Sequence, residues 1–299
     1  MVEWADRYAD FMVDYQPLYA AAGRGAALAA ARRAVRGDGF RVEVGGALAV
    51  FSPLAFDSRL FGLAMGRVDF ACGAGADAAG CLVELVRRAR AEGIEHLFYR
   101  VPSRAVDWVA AAQLAGFSVV TNNIYFARKL EGGAAMAAVR AAREEDRPRL
   151  LEITRQAFAG GTRFHLDPAL DPAAAVHLHE EWCENCLRGE RADAVLVCDE
   201  GGAAAGYITC QLLSEWSEDM GIAVAEIGLL AVGSSRQGRG VGRKLVDAAL
   251  VWCRDRGAQK VLVDTESINN AAINCYVGAG FKVCDSHYSM YAAWPGTAA

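Results

Sequence analysis

The sequence lacks three features that would each have pointed to a class of protein. No apolar run reaches the ~18–20 residues that a membrane-spanning helix needs. The formal net charge is −5 over 299 residues, whereas a general nucleic-acid binder would carry a basic excess. The N-terminal stretch MVEWADRYADFMVDYQPLY is acidic and has no apolar core of signal-peptide type. We therefore expect a cytoplasmic protein that binds neither nucleic acid nor membrane.

A pattern of metal ligands is also missing. The nine cysteines are scattered and mostly lie within apolar stretches, which is typical of buried, reduced thiols. Cys183 and Cys186 form the one close pair, and neither a second pair nor histidines stand at metal-ligand spacing. His177 and His179 are two residues apart and cannot share one face of a helix. We expect no metal site.

The chain contains an internal repeat. An offset of 164 residues maps Ala115–Phe117 onto Ala279–Phe281, and the segments before both sequences read as helix, strand, helix and strand. A spacing shared across four elements predicts two halves with one α/β fold. The glycines near residues 129–136 mark a boundary, so we predict domains over 1–132 and 136–299.

The two halves differ at the positions that carry chemistry. The same offset places Gln237 on Gly73 and Tyr276 on Ala112. A polar loop residue and a tyrosine of the C-terminal half therefore have no counterpart in the N-terminal half. We predict one working site, in the C-terminal half, and one degenerate copy.

A glycine-rich loop lies between a strand-like and a helix-like stretch in LLAVGSSRQGRGVGRKLV. The dinucleotide fingerprint G-x-G-x-x-G fails because its third glycine position holds Arg243 or Leu245, and the Gly-Lys-Ser/Thr of a P-loop is missing. What remains is Gln237-x-x-Gly240-x-Gly242 at a helix N-terminus. Such a loop turns successive backbone N–H groups toward an anion, and we predict a pyrophosphate.

The segments EIGLLAVGSSRQGRGVGRKL and ESINNAAINCYVGAGF resemble the GCN5-related N-acetyltransferase (GNAT) superfamily over residues 138–291. The resemblance implies a mixed, mostly antiparallel sheet flanked by helices, and acetyl-CoA (coenzyme A) bound by its pyrophosphate at the glycine-rich loop. It assigns backbone contacts with the pantetheine arm to one strand and the other cofactor contacts to the loop and the next helix. The cofactor-binding residues that it implies are Leu230, Ala231, Val232, Gln237, Gly238, Arg239, Gly240, Val241, Gly242, Arg243 and Asn269.

A narrower resemblance covers nearly the whole chain. PLAFDSRLFGLAMGRVD, GTRFHLDPAL and EEWCENCLRG are similar to segments of the nucleotide-sugar N-acetyltransferases, which also join a degenerate half to a working half. It implies an amino-sugar acceptor, with Arg163 and His165 between the first two helices of the working half and Trp182 and Asn185 on the second. The family's C-terminal strands often pair, so HYSMYAAW is the expected edge of a homodimer.

The transfer of acetyl to an amine needs a base for the amine and an acid for the leaving thiolate. Tyr276 stands at the family's position for the acid, and a phenol of pKa ~10 can protonate a thiolate whose conjugate acid lies near ~8.5. Its apolar surroundings, AAINCY, would also fit core packing, but the family spacing favours the role of an acid. Glu226, four residues before Leu230 and therefore expected on the same strand face, is the candidate base. A water chain is the alternative.

Two other interpretations of the function stay open at this level. Thr121 stands where the nucleotide-sugar branch carries a carboxylate, which gives weight to a GNAT enzyme for an amino acid, a peptide N-terminus or an aminoglycoside-like amine. A non-catalytic module that binds acyl-CoA is the third reading. The placed tyrosine argues against it, because a pure binder needs no acid.

Overall fold

The computed structural model of the chain describes residues 2–15, 24–36, 39–130 and 139–294. The chain divides by its contacts into two compact units that interleave along the sequence. The first unit comprises Met1–Asn123, Leu166–Asp171 and Asp285–Ala299, and the second comprises Ile124–His165 and Pro172–Cys284. The predicted domain boundary between residues 132 and 136 lies outside the described residues.

The strands, in chain order, are β1 (Phe40–Val44), β2 (Ala47–Pro53), β3 (Met65–Gly73), β4 (His96–Pro102), β5 (Ser118–Lys129), β6 (Val139–Ala141), β7 (Ala194–Glu200), β8 (Ala203–Leu212), β9 (Val224–Val232), β10 (Lys260–Glu266) and β11 (Lys282–Ala293). The α-helices are α1 (Val2–Tyr15), α2 (Arg24–Arg36), α3 (Ala55–Phe61), α4 (Gly75–Ala91), α5 (Val106–Leu114), α6 (Arg147–Ala157), α7 (Arg163–Leu166), α8 (Pro172–Leu187), α9 (Ser214–Met220), α10 (Val241–Asp255) and α11 (Asn270–Gly278). Short 3₁₀ turns cover Glu144–Asp146 and Ser234–Arg236.

In the first unit the strand order is β1-β2-β3-β4-β11. The first three strands pair antiparallel, β3 and β4 pair parallel, and β4 pairs antiparallel with residues 287–293 of β11. Helix α4 buries the stripe Ala78, Cys81, Leu82, Leu85 and Ala89. This spacing of three and four residues is that of an amphipathic helix whose apolar face is covered by the sheet.

In the second unit the order is β10-β9-β8-β7-β6, parallel between β10 and β9 and antiparallel from β9 to β6. Apolar side chains lie on both faces of this sheet. One core contains Ile208, Ile227 and Leu245 of α10, and the other contains Leu150 of α6, Cys183 of α8 and Tyr207. A sheet covered on both faces by helices confirms the predicted α/β architecture.

All nine cysteines are free thiols and seven of them are buried, as their apolar surroundings predict. Burial raises the pKa of the Cys72 and Cys81 thiols to about 12, which keeps them protonated and unreactive. The described residues hold no group of three histidine, cysteine or acidic side chains arranged for a metal ion. None of their helices is both long and apolar enough to cross a membrane.

Candidate active site

Strands β9 and β10 separate after a short stretch of pairing. Their parallel ladder runs only from Val224–Glu226 against Lys260–Leu262, whereas β9 stays paired with β8 as far as Val232. In the described residues the β10-side edge of 227–232 therefore has no strand partner. Unpaired backbone N–H and C=O groups on an extended strand can bind another extended chain by β-type hydrogen bonds. The predicted pantetheine contacts, Leu230 to Val232, lie on this edge.

A β-bulge interrupts β9 at the same place. Ile208 pairs with Leu230 and Cys210 with Ile227, so Gly228 and Leu229 together oppose Thr209. The Leu229 N–H donates to Thr209 Oγ1 at 2.7 Å. A Cβ atom on Gly228 would lie 2.9 Å from that hydroxyl, which explains the glycine at the bulge.

The bulge corrects one expectation about the candidate base. Before it, Ile227 faces the core under α10, and after it Leu230 packs against that same core while Leu229 faces the other one. Glu226 therefore points to the α6–α8 side of the sheet and Leu230 to the α10 side. The prediction that the two side chains share a face is wrong, because a bulge adds one residue and reverses the alternation.

The glycine-rich loop leads directly into α10. Gly238 and Gly240 have φ angles of 73° and 81°, a region that favours glycine, and Gly240 is the N-cap of the helix. No side chain caps this end, and the first turn of the helix contains no acidic residue. The loop from Gln237 to Gly240 is exposed. Uncapped N–H groups at the positive end of a helix dipole form a place for an anion.

The polar side chains around the loop mostly have partners within the chain. Gln237 Nε2 donates to the Val232 carbonyl at 3.3 Å. Arg243 donates to the Gly278 carbonyl at 2.6 Å and pairs with Asp247 at 2.7 Å. Arg239 is exposed. The loop therefore offers an anion its backbone first, with Arg243 held beside it.

Asn269 and Tyr276 both belong to the segment of α11. Asn269 is the N-cap, its Oδ1 accepting from the Ala272 N–H and its Nδ2 donating to Thr265 Oγ1, each at 3.1 Å. Tyr276 is 3% exposed, with its ring 5.9 Å from that of Phe126 and 5.8 Å from that of Phe281. Burial, followed by Cys275 and the carboxylates of Asp264 and Glu266, raises the pKa of Tyr276 well above its ordinary value. The phenol is thus protonated at neutral pH, as an acid must be.

Strand β10 places two more carboxylates on the same face of the sheet as Glu226. Glu226 pairs with Leu262, and since Val261 and Val263 face the α10 core, Asp264 and Glu266 lie on the face of Glu226. Glu266 Oε1 accepts from the Arg163 N–H at 3.1 Å. Asp264 and Glu266 are not among the predicted site residues, although the alternation in KVLVDTE is the pattern of a half-buried strand with these residues on its polar face.

The predicted acceptor residues of α7 and α8 meet in a group of rings. His165 Nδ1 bonds Thr162 Oγ1 at 2.8 Å. The ring of Trp182 lies edge-on to Phe164 and His179, with centroids 5.6 and 5.1 Å apart, and the Arg163 guanidinium lies 3.7 Å over Phe164. Burial lowers the pKa of His165, against an opposing effect of Glu266, so its imidazole is neutral at pH 7.

Two further acceptor residues were predicted, and one residue of the ring group was not. Asn185 Oδ1 accepts from Arg188, the residue that directly follows α8, and Thr121 belongs to the first unit. His179, which the sequence argument set aside with His177, is at the centre of the rings. Its Nδ1 donates to the Ala175 carbonyl at 2.7 Å, and burial lowers its pKa to about 4. Its spacing of four residues from both Ala175 and Cys183, on the apolar stripe of α8, was the available signal.

Comparison with known proteins supplies the family. A model of the acetyltransferase (GNAT) family matches residues 147–281. The dTDP-fucosamine acetyltransferase of Escherichia coli O6:H1 is 32% identical over 182 residues, which are 60% of this chain and 74% of that protein. The chain belongs to the GNAT acetyltransferase family. It is therefore an acetyl-CoA-dependent N-acetyltransferase.

Other relatives of this GNAT enzyme match shorter stretches. The spore coat polysaccharide biosynthesis protein SpsD of Bacillus subtilis is 29% identical over 50% of this chain and 48% of its own length. The mycothiol acetyltransferase of Rhodococcus opacus is 42% identical over 37% of this chain and 39% of its own length. The chain spans less than half of either protein.

Solved structures confirm the tandem GNAT fold. A GCN5-related N-acetyltransferase from Sphaerobacter thermophilus has a TM-score of 0.61 at 15% identity, covering 97% of this chain and 93% of that one. A tandem GNAT protein from the clavulanic acid biosynthesis pathway has a TM-score of 0.52 at 15% identity, with 97% and 96% covered. At such identities the likeness establishes the fold alone.

The second unit fits acetyl-CoA in two observed respects. The uncapped N-terminus of α10, behind two glycines with positive φ, suits a pyrophosphate, and the unpaired edge of β9 suits the amide-containing pantetheine arm. When bound, acetyl-CoA supplies the acetyl thioester. The residues of this chain that would hold it are the loop from Gln237 to Arg243 and the strand edge from Leu230 to Val232.

Proposed function

We propose that this GNAT enzyme acetylates the amino group of an amino sugar, most specifically a nucleotide-linked one of the TDP-amino-deoxyhexose type. The observation that carries the proposal is the match to a dTDP-fucosamine acetyltransferase over 74% of that protein. The similarity to a spore coat polysaccharide biosynthesis protein adds a second relative whose name concerns saccharides.

The α6–α8 face of the second unit has the chemistry that such an acceptor needs. Glu226, Asp264 and Glu266 give it negative charge, which favours an ammonium group over an anion. The half-buried side chains of His165 and Trp182 give it aromatic surface, packed against the buried rings of Phe164 and His179. Arg163 at the start of α7 is the candidate donor to a sugar-linked diphosphate.

The proton balance of the transfer assigns two roles. An N–C bond forms and a C–S bond breaks, so one proton must leave nitrogen and one must reach sulfur. We assign the first to Glu226, directly or through a water chain, and the second to Tyr276, whose raised pKa keeps it protonated. Polarisation of the thioester carbonyl falls to a backbone N–H of β9 near Leu230.

A second acceptor class keeps the same chemistry. The 42% identity with a mycothiol acetyltransferase, and Thr121 at the position of the nucleotide-sugar branch's carboxylate, favour a different primary amine. An amino acid, a peptide N-terminus or an aminoglycoside-like amine belongs to this class.

Thiol release from acetyl-CoA tests these alternatives directly. The purified enzyme is assayed with TDP- and UDP-linked amino sugars, with aminoglycosides, and with amino acids and peptides. We expect turnover with a nucleotide-linked amino sugar and at least ~10²-fold lower kcat/KM with the other amines, because a buried site that recognises polar groups discriminates strongly against acceptors lacking them. Turnover with only another amine would remove the sugar assignment.

A further inference from the structure

Glu266 connects three segments of the second unit. It is the last residue of β10, and its carboxylate accepts the Arg163 N–H at the start of α7. Its backbone carbonyl accepts the Asn269 N–H at 2.9 Å, and Asn269 in turn caps α11, the helix of Tyr276. One residue therefore bonds the acceptor segment through its side chain and the tyrosine's helix through its backbone.

Its charge acts on the same two segments. The Glu266 carboxylate partly offsets the lowering of the His165 pKa by burial, and it contributes to the raised pKa of Tyr276 on α11. Other charged groups around His165 include Arg163 on its own helix and, from α8, the largely neutral His179.

The internal repeat indicates that folding does not demand a glutamate here. The offset of 164 places Glu266 on Pro102, the last residue of β4. β4 and α5 of the first unit have the bounds of β10 and α11 shifted by that offset, so the turn between them has the same length. This geometry forms in the first unit although proline has no carboxylate. The side-chain bond of Glu266 to α7 is thus an addition of the catalytic half.

We propose that Glu266 is a positioning residue for the acceptor, holding α7, with Arg163 and His165, at the end of β10. This inference rests on the proposed function, since α7 carries the proposed acceptor contacts. A glutamine at 266 can still accept the Arg163 N–H through its amide oxygen, whereas an alanine cannot. The two substitutions therefore separate the hydrogen bond from the charge.

Steady-state kinetics of E266A and E266Q test the proposal with the acceptor that the wild-type enzyme turns over. We expect E266A to raise the KM for the acceptor at least ~10-fold while the KM for acetyl-CoA changes less than ~2-fold, and E266Q to stay within ~3-fold of wild type. Glu190→Ala, which removes an exposed carboxylate paired with Arg188, is the control and should change neither. Equal rises in both KM values, or an E266Q as impaired as E266A, would overturn the proposal.

Hydrogen exchange of the Arg163 amide, followed by NMR, tests the same bond without turnover. We expect at least ~10-fold faster exchange in E266A and near-wild-type exchange in E266Q, since a lost hydrogen bond frees the amide. Unchanged exchange in E266A would overturn the proposal. If wild-type enzyme acetylates no amine tested, the proposed function fails, and this measurement still decides whether Glu266 holds α7.

Discussion

The two repeats of the chain share a scaffold and differ in chemistry. β4, α5 and β5 have the bounds of β10, α11 and β11 shifted by 164 residues. β3 and β4 pair parallel over only Met65–Val68, and β3 carries its own bulge at Asp69, as β9 does at Gly228. The separated strands and the bulge therefore occur in both units and do not distinguish them.

The repeats diverge where a ligand would bind. In the first unit a single residue, Ala74, separates β3 from α4, and Asp77 in the first turn of that helix accepts the Gly46 N–H at 2.7 Å. A carboxylate already occupies this positive helix end, and it would repel a phosphate. In the second unit eight residues, 233–240, separate β9 from α10, and the first turn of α10 contains no acidic residue.

The polar faces of the two sheets carry side chains of opposite charge. Arg67 pairs with Phe98 as Glu226 pairs with Leu262, and Arg100 stands at the position of Asp264. The first unit therefore has arginines where the second has Glu226 and Asp264, and it has Ala112 in place of Tyr276. Because apolar packing determines the scaffold, these polar positions are free to diverge without loss of the fold.

The largest expected effect is a loss of kcat on substitution of Tyr276, a residue that the first unit lacks. Tyr276→Phe keeps the ring that packs on Phe126 and Phe281 and removes the hydroxyl, so we expect kcat to fall ~10²–10³-fold with the fold intact. Tyr99→Phe, at a buried tyrosine of the first unit, is the matched control and should keep wild-type kcat. Steady-state kinetics of both variants measure this. A Tyr276→Phe enzyme with wild-type kcat would leave Tyr276 as a core residue only.

A smaller loss is expected from the candidate base. Glu226→Gln keeps the size of the side chain and removes its ability to take a proton, and we expect kcat/KM for the acceptor to fall ~10–10²-fold at pH 7. If a water chain carries the proton instead, the loss shrinks below ~3-fold. Glu43→Gln, at an exposed strand carboxylate of the first unit, serves as the control and should have no effect.

Much of this comparison is predictable from the sequence. The 164-residue spacing, the glycine-rich loop and the absence of Tyr276 from the first half are visible in the residues themselves. The bulge at Gly228 is not, because its signature is a register between strands far apart in the chain, and it turned the predicted orientation of Glu226 around. Glu266 was missed for a related reason, since its role depends on α7, about 100 residues earlier.

Acid should weaken the second unit through His179. Burial lowers its pKa from 6.5 to about 4 in the folded chain, so below pH 6.5 the unfolded chain binds more protons. The contribution of the neutral His179 imidazole to the free energy of unfolding is complete above pH 6.5 and is lost as the pH falls toward 4. By pH 5 the free energy of unfolding has fallen by about 2 kcal/mol. Urea unfolding at pH 7 and pH 5 measures the loss.

The matched variants for this experiment lie on the same helix. His179→Phe removes the titrating group and should flatten the pH dependence by that amount, whereas His177→Gln, at an exposed site of α8, should leave it unchanged. If His179→Phe shows the same pH dependence of the unfolding free energy as wild type and His177→Gln, the His179 imidazole does not titrate with a lowered pKa.

The smallest expected effect compares one glycine from each unit. Gly240 and Gly93 have φ angles of 81° and 78°, and a Cβ atom on either would meet no neighbour within 4 Å. Alanine at either position thus costs the same backbone strain, about 1 kcal/mol. Only Gly240 adjoins the uncapped end of α10, so we expect Gly240→Ala to raise the KM for acetyl-CoA ~3–10-fold and Gly93→Ala to leave it unchanged. Equal KM values for acetyl-CoA in the two variants would mean that the conformation of the glycine-rich loop matters for stability and not for cofactor binding. The loop would then differ from the connection between β3 and α4 in length alone.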